Sequence, residues 1–235
     1  MNNRTWLLLD FDNTMMETEK LVLPSLINRF NDLYGSQIDH PLTLDEFKAH
    51  FHGQARENLC ANMSKHFNIT VDCPVLYKDR EWFVMQHLQN LTEGVTMAPE
   101  IIETLQGLKE QDYQFAFVSN NPIQRGLAAM RYASNKRGNE LARFFGSNYF
   151  ESGDKQKPLP DVYLRAMQQL GTDTDHCYAV EDSLSGLKAA VDAGIRTFAF
   201  GGFADDKDKH KTQMLENGAI GWFSYWPDFP ALLPR

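Results

Sequence analysis

The chain has 235 residues, a formal net charge of -8 and 43% hydrophobic residues. Its negative charge argues against sequence-independent binding to nucleic acid or to anionic membranes, because both are polyanions. Its length suits one α/β core with a smaller inserted unit.

Cys60, Cys73 and Cys177 are far apart and contain no C-x-x-C pair. This spacing argues against a disulfide framework and against a structural zinc site. The first apolar run is too short for a signal peptide, and no later stretch is long enough to span a bilayer. We therefore expect a soluble, cytoplasmic protein with neither a nucleic-acid nor a membrane partner.

The first predicted element is the apolar run Trp6-Leu7-Leu8-Leu9, which ends abruptly in Asp10-Phe11-Asp12-Asn13-Thr14. Such a run is typical of a buried parallel strand, and ligands bind at the carboxyl ends of parallel strands. Side chains alternate along a strand, so Asp10 and Asp12 should project to the same side. Two adjacent carboxylates need a cation or a shared proton between them. The alternative is that these residues only form a turn or cap the next helix.

The segment from Glu17 to Leu91 shows a helical pattern without alternating strands. It includes an expected kink at Pro24, a capping box at Thr43-Leu44-Asp45-Glu46, and expected breaks at Gly53 and at Cys73-Pro74. A helical block of this length predicts an inserted helical domain over residues 15–92.

From Gly94 onward, helices and strands alternate, which predicts a parallel sheet with helices on both faces. The predicted strands are Phe115 to Ser119, Tyr149-Phe150, Tyr178 to Val180 and Arg196 to Phe200. The predicted helices are Pro99 to Gln111, Ile123 to Tyr132, Asp161 to Leu170 and Leu184 to Ala193. The run Lys207 to Lys211 is expected to be a solvated helix face, and the aromatic group at Trp222, Phe223, Tyr225, Trp226 and Phe229 to be C-terminal packing.

Polar residues follow three later elements of this pattern. Ser119-Asn120-Asn121 ends a strand just before a helix, whose N-terminus favours an anion. Lys157 precedes a Pro-x-Pro turn, and Glu181-Asp182 ends another strand. Six histidines lack paired metal spacing and are assigned to surface or packing positions: His40, His50, His66, His87, His176 and His210.

Four motifs together resemble those of the haloacid dehalogenase-like phosphatase superfamily, in the branch with an inserted helical cap. They are D-F-D-N-T, V-S-N, K-P-L-P-D and V-E-D-S-L-S-G-L-K-A-A-V-D-A-G, and they occur in the family's order between Leu7 and Gly201. Asn13 stands where the family commonly has Gly, but Asn tolerates a left-handed turn. The resemblance implies a Rossmann-like core of residues 1–14 and 93–235 and a helical cap of residues 15–92.

The resemblance also implies roles for the motif residues. Asp10 would be the nucleophile that forms an aspartyl-phosphate, and Asp12 the general acid and base. Mg²⁺ would be held by the Asp10 carboxylate, the Asp12 carbonyl and Asp182, with Glu181 as a ligand or a neighbour of one. Ser119 and Lys157 would be catalytic residues that bind the phosphoryl oxygens in the transition state. The implied phosphate- or substrate-binding residues are Thr14, Asn120 and Asn121.

A further stretch, Phe51-His52-Gly53-Gln54-Ala55-Arg56-Glu57, resembles the cap substrate loop of sugar phosphatases and phosphoglucomutase-like members. This likeness predicts that His52, Gly53 and Arg56 face the substrate. The alternative for His52 is a surface position at a helix end.

The implied function is hydrolysis of a small phosphorylated metabolite, such as a sugar phosphate or phosphoglycolate, by a monomer or homodimer. A β-phosphoglucomutase-like phosphotransferase is the alternative, although that branch has His where this chain has Val22. Dehalogenase chemistry is disfavoured by the presence of Asp12. A non-catalytic phospho-ligand-binding protein is the remaining possibility.

Overall fold

The computed structural model describes residues 4–51, 54, 56–77 and 80–234, with the side chains of residues 56, 57 and 80–84 left out of the description. Its strands are β1 (Trp6–Asp10), β2 (Met16–Glu17), β3 (Thr96–Met97), β4 (Gln114–Ser119), β5 (Tyr149–Glu151), β6 (Cys177–Glu181), β7 (Arg196–Phe200) and β8 (Gly221–Phe223). Six of them form one parallel sheet in the order β5-β4-β1-β6-β7-β8, while β2 and β3 pair antiparallel. The sheet confirms the predicted α/β, Rossmann-like core.

The central position of β1 follows from its sequence. Leu7 and Leu9 pack into the hydrophobic cluster on one face of the sheet, and Leu8 packs into the cluster on the other. All three are fully buried. A strand that is apolar on both faces belongs in the middle of a covered parallel sheet. Asp10, the last residue of β1, and Asp12 therefore lie at the centre of the carboxyl edge.

The helices fall into two groups along the chain. Between β2 and β3 lie α1 (Glu19–Tyr34), α2 (Leu44–His50), α3 (Arg56–Phe67), α4 (Cys73–Tyr77) and α5 (Arg80–Leu91). After β3 come α6 (Ile101–Glu110), α7 (Ile123–Arg131), α8 (Gly138–Phe145), α9 (Asp161–Leu170), α10 (Leu184–Asp192) and α11 (Lys207–Glu216). None of the helices within the described residues combines the length and the apolar character needed to cross a membrane.

The helices between β2 and β3 have a hydrophobic cluster of their own, which includes Phe30, Phe47, Met63 and Leu76. A separate core is what an inserted helical unit requires. The arrangement is consistent with a helical cap, and the boundaries at residues 15 and 92 stay a proposal.

Several local predictions differ from the structure. The expected break at Cys73-Pro74 is instead the start of α4, where Pro is accepted because first-turn N–H groups have no helical partner. Helix α1 continues through Pro24, and the expected kink there stays a prediction. The short strands β2, β3 and β8 and helix α8 were not predicted. By contrast, the C-terminal packing role is confirmed for Phe223, Trp226 and Phe229, which are buried in the main cluster.

The cysteine prediction was wrong in one respect. Cys60 of α3 and Cys73 of α4 form a disulfide, with their Cα atoms 5.7 Å apart. They are separated by 13 residues, and the fold of the cap brings these positions together. Cys177 remains a buried free thiol, and burial raises its pKa to about 12.

Candidate active site

The motif residues meet at the carboxyl edge of the sheet, around a cavity of about 220 Å³. Asp10 ends β1, Ser119 ends β4 and Glu181 ends β6, while Lys157 comes from the loop before α9. Parallel strands place their carboxyl ends on one side, so segments more than 100 residues apart in sequence supply one site.

Lys157 is the central cation of the site. Its Nζ donates to Oδ1 of Asp10 at 2.7 Å and to Oε1 of Glu181 at 2.7 Å. The lysine side chain is 3% exposed. Burial lowers the pKa of Lys157, but the two carboxylates outweigh burial and raise it above its usual value. The amine therefore remains charged inside the site.

Glu181 is fixed from two further directions. The Tyr163 hydroxyl donates to Oε1 of Glu181 at 2.5 Å, and the carboxylate lies against the first turn of α10. A Cβ at Gly186 would come within 1.9 Å of Oε2 of Glu181. A residue without a side chain is therefore required at position 186 while Glu181 holds this place.

Asp10, Glu181 and Asp182 form the acidic cluster of the site. One carboxylate oxygen from each lies within 4.8 Å of the others. Burial and then the Glu181 carboxylate raise the pKa of Asp10, and burial and then Asp10 raise that of Asp182. Thr14 donates towards Asp10 at 3.1 Å and towards Asp182 at 3.4 Å.

The acidic cluster fits a divalent cation. Its donors are all oxygen, as hard cations prefer, and Oε2 of Glu181 is buried without a hydrogen-bond partner among the described residues. Lys157 is a single positive charge beside three carboxylates, so a dication would remove the remaining repulsion. The residues present can therefore hold a divalent metal.

Asp12 lies in the same cavity but has different partners. Oδ1 accepts hydrogen bonds from Thr18 at 2.5 Å and from Arg125 at 2.8 Å, and Oδ2 accepts from Asn121 at 2.8 Å. Burial raises the pKa of Asp12, but Arg125 and these hydrogen bonds lower it below its usual value. The two aspartates of the first motif thus have pKa values shifted in opposite directions, that of Asp10 upwards and that of Asp12 downwards. A dication at the acidic cluster would oppose the upward shift and keep the Asp10 carboxylate ionised.

The predicted phosphate-binding residues of the second motif have distinct places. Ser119 Oγ lies 3.4 Å from Oδ2 of Asp12 and accepts from the Asn121 amide N–H. The Asn120 side chain accepts from the Lys157 amide N–H and from the Ser152 hydroxyl, each at 2.7 Å. Asn120 therefore fixes the backbone that carries Lys157, while both asparagines line the cavity.

The cap supplies the opposite wall of the cavity. Leu23, Leu26, Phe47, Phe51, Leu59 and Tyr77 line it, together with Glu19 and Gln54. His52 and Gly53 lie outside the described residues. Arg56 begins α3, but its side chain is outside the description. The cap-loop roles therefore stay predictions.

Sequence reasoning missed several residues beside the site, including Thr18, Tyr163, Arg125 and His210. Arg125 is buried on α7 and pairs with Asp12, although nothing in its local sequence distinguishes it from a surface residue. His210 lies in the run predicted to be a solvated face, but its Nε2 lies 2.6 Å from the carbonyl oxygen of Asp182. Asn13 has φ of 55°, which confirms that Asn accommodates the left-handed turn after Asp12.

The chain is similar to known proteins over most of its length. Residues 7–200 match the model of the haloacid dehalogenase-like hydrolase family. The chain is 25% identical over 202 residues to protein CbbY of Rhodobacter capsulatus, covering 81% of this chain and 82% of that protein. It is 25% identical to the phosphoglycolate phosphatase of the same organism, with 80% of each covered.

Other matches are partial or structural. The segment shared with a haloacid dehalogenase-like hydrolase domain-containing protein of Arabidopsis thaliana covers only 19% of that protein. The crystal structure of a CbbY variant from Rhodobacter sphaeroides, in complex with xylulose-(1,5)-bisphosphate, superposes with a TM-score of 0.74. That match has 20% identity over 99% of this chain and 100% of the other, which shows a shared fold. From the family match over residues 7–200, the chain belongs to the haloacid dehalogenase-like hydrolase family.

Proposed function

We propose that the protein is a Mg²⁺-dependent phosphomonoesterase that hydrolyses a small phosphorylated metabolite through an aspartyl-phosphate on Asp10. One observation carries this proposal. Asp10 shares a cavity with Asp12, is bound by Lys157 at 2.7 Å, and belongs to an acidic cluster suited to a dication. A nucleophile, an acid-base group, a cation and a metal site are the parts that phosphoryl transfer needs.

In the first step, a carboxylate oxygen of Asp10 forms a bond to phosphorus while the bond from phosphorus to the ester oxygen breaks. The electron pair of that bond stays on the leaving oxygen, which takes a proton from the Asp12 carboxyl group. This step uses the fraction of molecules in which Asp12 is protonated, since the pair with Arg125 lowers the pKa of Asp12. In the second step, Asp12 takes a proton from water, whose oxygen attacks phosphorus and releases Asp10. Lys157 and Ser119 stabilise the charge on the phosphoryl oxygens.

Mg²⁺ bound to Asp10, the Asp12 carbonyl and Asp182 would supply the positive charge that lets a phosphate dianion approach the carboxylates. Oxygen ligands on the chain suit this ion. This assignment is supported by the acidic cluster and by the buried Oε2 of Glu181.

The volume and the lining of the cavity limit the size and character of the leaving group. About 220 Å³ is enough for a phosphoryl group with a small carbon skeleton, and the cap wall is largely apolar. Relatives named for phosphoglycolate and a structural neighbour that holds a phosphorylated sugar support a substrate of this size. We therefore infer a sugar phosphate or a phosphoglycolate-like compound, bound by a monomer or homodimer.

The mutase alternative gains no support from the site. Val22, at the position of the histidine of that branch, is 5% exposed and cannot exchange protons. Hydrolysis by water therefore accounts for the described residues better than phosphoryl transfer to a second sugar position.

The proposal is tested by measuring phosphate release from a panel of phosphorylated metabolites in the presence of MgCl₂. Asp10→Asn should abolish turnover while the circular dichroism spectrum is retained. Asp192→Asn is the matched control, because Asp192 is an exposed partner of Lys188 remote from the cavity, and it should keep wild-type rates. Phosphate release by Asp10→Asn at the wild-type rate would contradict the proposal. So would a wild-type protein that releases phosphate from none of the esters in the panel.

A further inference from the structure

His210 connects the far end of the chain to the acidic cluster. It lies in the first turn of α11 and is partly buried, whereas its neighbours Lys209 and Lys211 are exposed. Its Nε2 lies 2.6 Å from the backbone oxygen of Asp182, and its Nδ1 lies 3.0 Å from Nε1 of Trp222. The imidazole therefore bridges an indole and the peptide of a predicted metal ligand.

These two contacts determine the tautomer of His210. An indole N–H can only donate a hydrogen bond, so Nδ1 of His210 must accept from Trp222. The proton of the neutral ring is then on Nε2, which donates to the Asp182 oxygen. Since a carbonyl oxygen can only accept, both contacts are satisfied by a single, neutral orientation of the ring.

Asp182 has a particular need for such support. It lies in the turn between β6 and α10, past the last residue of β6 that pairs with β7. Its carboxylate has a long contact with Thr14, at 3.4 Å, and it borders a second cavity of about 350 Å³. The hydrogen bond to the backbone oxygen of Asp182 fixes the backbone conformation of this turn, and with it the point from which the carboxylate extends.

Trp222 is itself well anchored. It lies on β8, opposite Ala199 of β7, and its indole covers Gly201, where a Cβ would come within 2.5 Å of the ring. The sheet therefore fixes Trp222, Trp222 fixes His210, and His210 fixes the Asp182 peptide. His210 and Trp222 both lie beyond residue 200, where the family match ends.

We propose that His210 is a positioning residue for the metal site, which orients Asp182 towards a divalent cation through the hydrogen bond to its backbone oxygen. The inference rests on the metal site of the proposed function. Partners that orient a metal ligand typically change metal affinity by about 10- to 100-fold when they are removed. His210→Ala should weaken metal binding by an amount in this range.

The test is a titration of the purified chain with Mn²⁺, with free ion followed by electron paramagnetic resonance. His210→Ala should weaken Mn²⁺ binding by about 10-fold or more, and Trp222→Phe by a smaller factor, since the ring then loses the hydrogen bond at Nδ1 and keeps the one to Asp182. His210→Gln should recover most of the affinity, because an amide can also donate to Asp182 and accept from Trp222. Lys207→Ala, on the exposed first turn of α11, is the matched control and should bind as the wild type does.

Folding is checked for each variant by urea denaturation without metal. Equal Mn²⁺ affinity in the wild type, His210→Ala and His210→Gln would overturn the proposal, as would a wild-type chain that binds no Mn²⁺. A merely structural role predicts lower stability with unchanged affinity, which also contradicts it. Because binding is measured without turnover, a chain that binds Mn²⁺ in this order but hydrolyses no phosphate ester would refute the proposed function and leave this inference standing.

Discussion

Nζ of Lys157 lies 2.7 Å from Oδ1 of Asp10 and 2.7 Å from Oε1 of Glu181, so one buried ammonium group joins the ends of β1 and β6. Glu181 is fully buried and Asp10 is 7% exposed. A buried carboxylate that loses its cation is left uncompensated, which is far more costly than losing a surface pair. Lys157 is therefore expected to be necessary for stability as well as for binding phosphate.

Lys157→Met should lower the free energy of unfolding by about 3–5 kcal/mol in the absence of metal, as measured by urea denaturation. Added MgCl₂ should restore part of this loss, because a dication at the acidic cluster would replace the missing charge. Phosphatase activity should not be restored, since no group then replaces the amine on the phosphoryl oxygens.

Lys155→Met is the matched control for this experiment. Lys155 forms an ion pair with Asp161, but its side chain is 68% exposed, so the change should cost less than about 1 kcal/mol. Similar losses at positions 155 and 157 would show that the contacts of Lys157 do not have the predicted importance.

Gly186→Ala should disturb the acidic cluster from the side of α10. The new Cβ would meet Oε2 of Glu181 at 1.9 Å, so either the carboxylate or the first turn of α10 must move. We expect a loss of unfolding free energy of about 1–3 kcal/mol, the usual cost of overpacking. The variant should also bind Mn²⁺ more weakly.

Gly107→Ala is the comparison variant, and we expect its effect on the free energy of unfolding to have the opposite sign to that of Gly186→Ala. Gly107 lies inside α6, and nothing lies within 4 Å of the position where its Cβ would stand. Ala should therefore stabilise the protein by about 0.5–1 kcal/mol through helix propensity. If urea denaturation gave the same sign for both variants, the close approach of Glu181 to Gly186 would be refuted.

The part of the fold that could be predicted is the part encoded by local patterns. The apolar run before Asp10 and the alternation of strands and helices after Gly94 specify a parallel sheet, and the sheet then brings the four motifs together. Short strands such as β2 and β3 contain two residues each, which is too few for a period to be visible.

The contacts that could not be predicted depend on positions set by the tertiary fold. Arg125 and His210 are single polar residues on helices, and only the packing of α7 and α11 shows that both face the site. The pairing of Cys60 with Cys73 depends in the same way on how α3 meets α4. Spacing along the chain contains none of this information.

His87 of α5 should make the protein sensitive to acid. Burial, and then the nearby Arg125 charge, lower the pKa of His87 from its usual 6.5 to about 3, against the opposing effect of Asp12. Between these two values the unfolded chain binds a proton that the folded chain does not, so stability falls as pH falls below 6.5. The loss from this residue between pH 7 and pH 5 should be about 2 kcal/mol.

The measurement is the free energy of unfolding from urea denaturation between pH 7 and pH 4.5, compared for the wild type and His87→Gln. The variant should show a flatter dependence on pH, whatever its stability at pH 7. His40→Gln is the control, because His40 is 61% exposed at the side chain. Parallel curves for the wild type and His87→Gln would show that His87 is not held neutral by the fold.

The three cysteines give a prediction that separates the disulfide from the buried thiol. Cys60 and Cys73 are paired, while Cys177 is fully buried with its pKa raised to about 12 by burial. Only the thiolate reacts with a thiol reagent such as 5,5′-dithiobis(2-nitrobenzoate), so the native, unreduced protein should show no rapid reaction at pH 8. Unfolding in guanidinium chloride without reductant should expose a single thiol, and reduction before unfolding should expose three.

Cys177→Ser should remove the single thiol of the unreduced, unfolded chain, which assigns that thiol to Cys177. Three thiols in the unreduced, unfolded wild type would exclude the disulfide, and a rapid reaction of the native protein that Cys177→Ser abolishes would exclude the burial of Cys177.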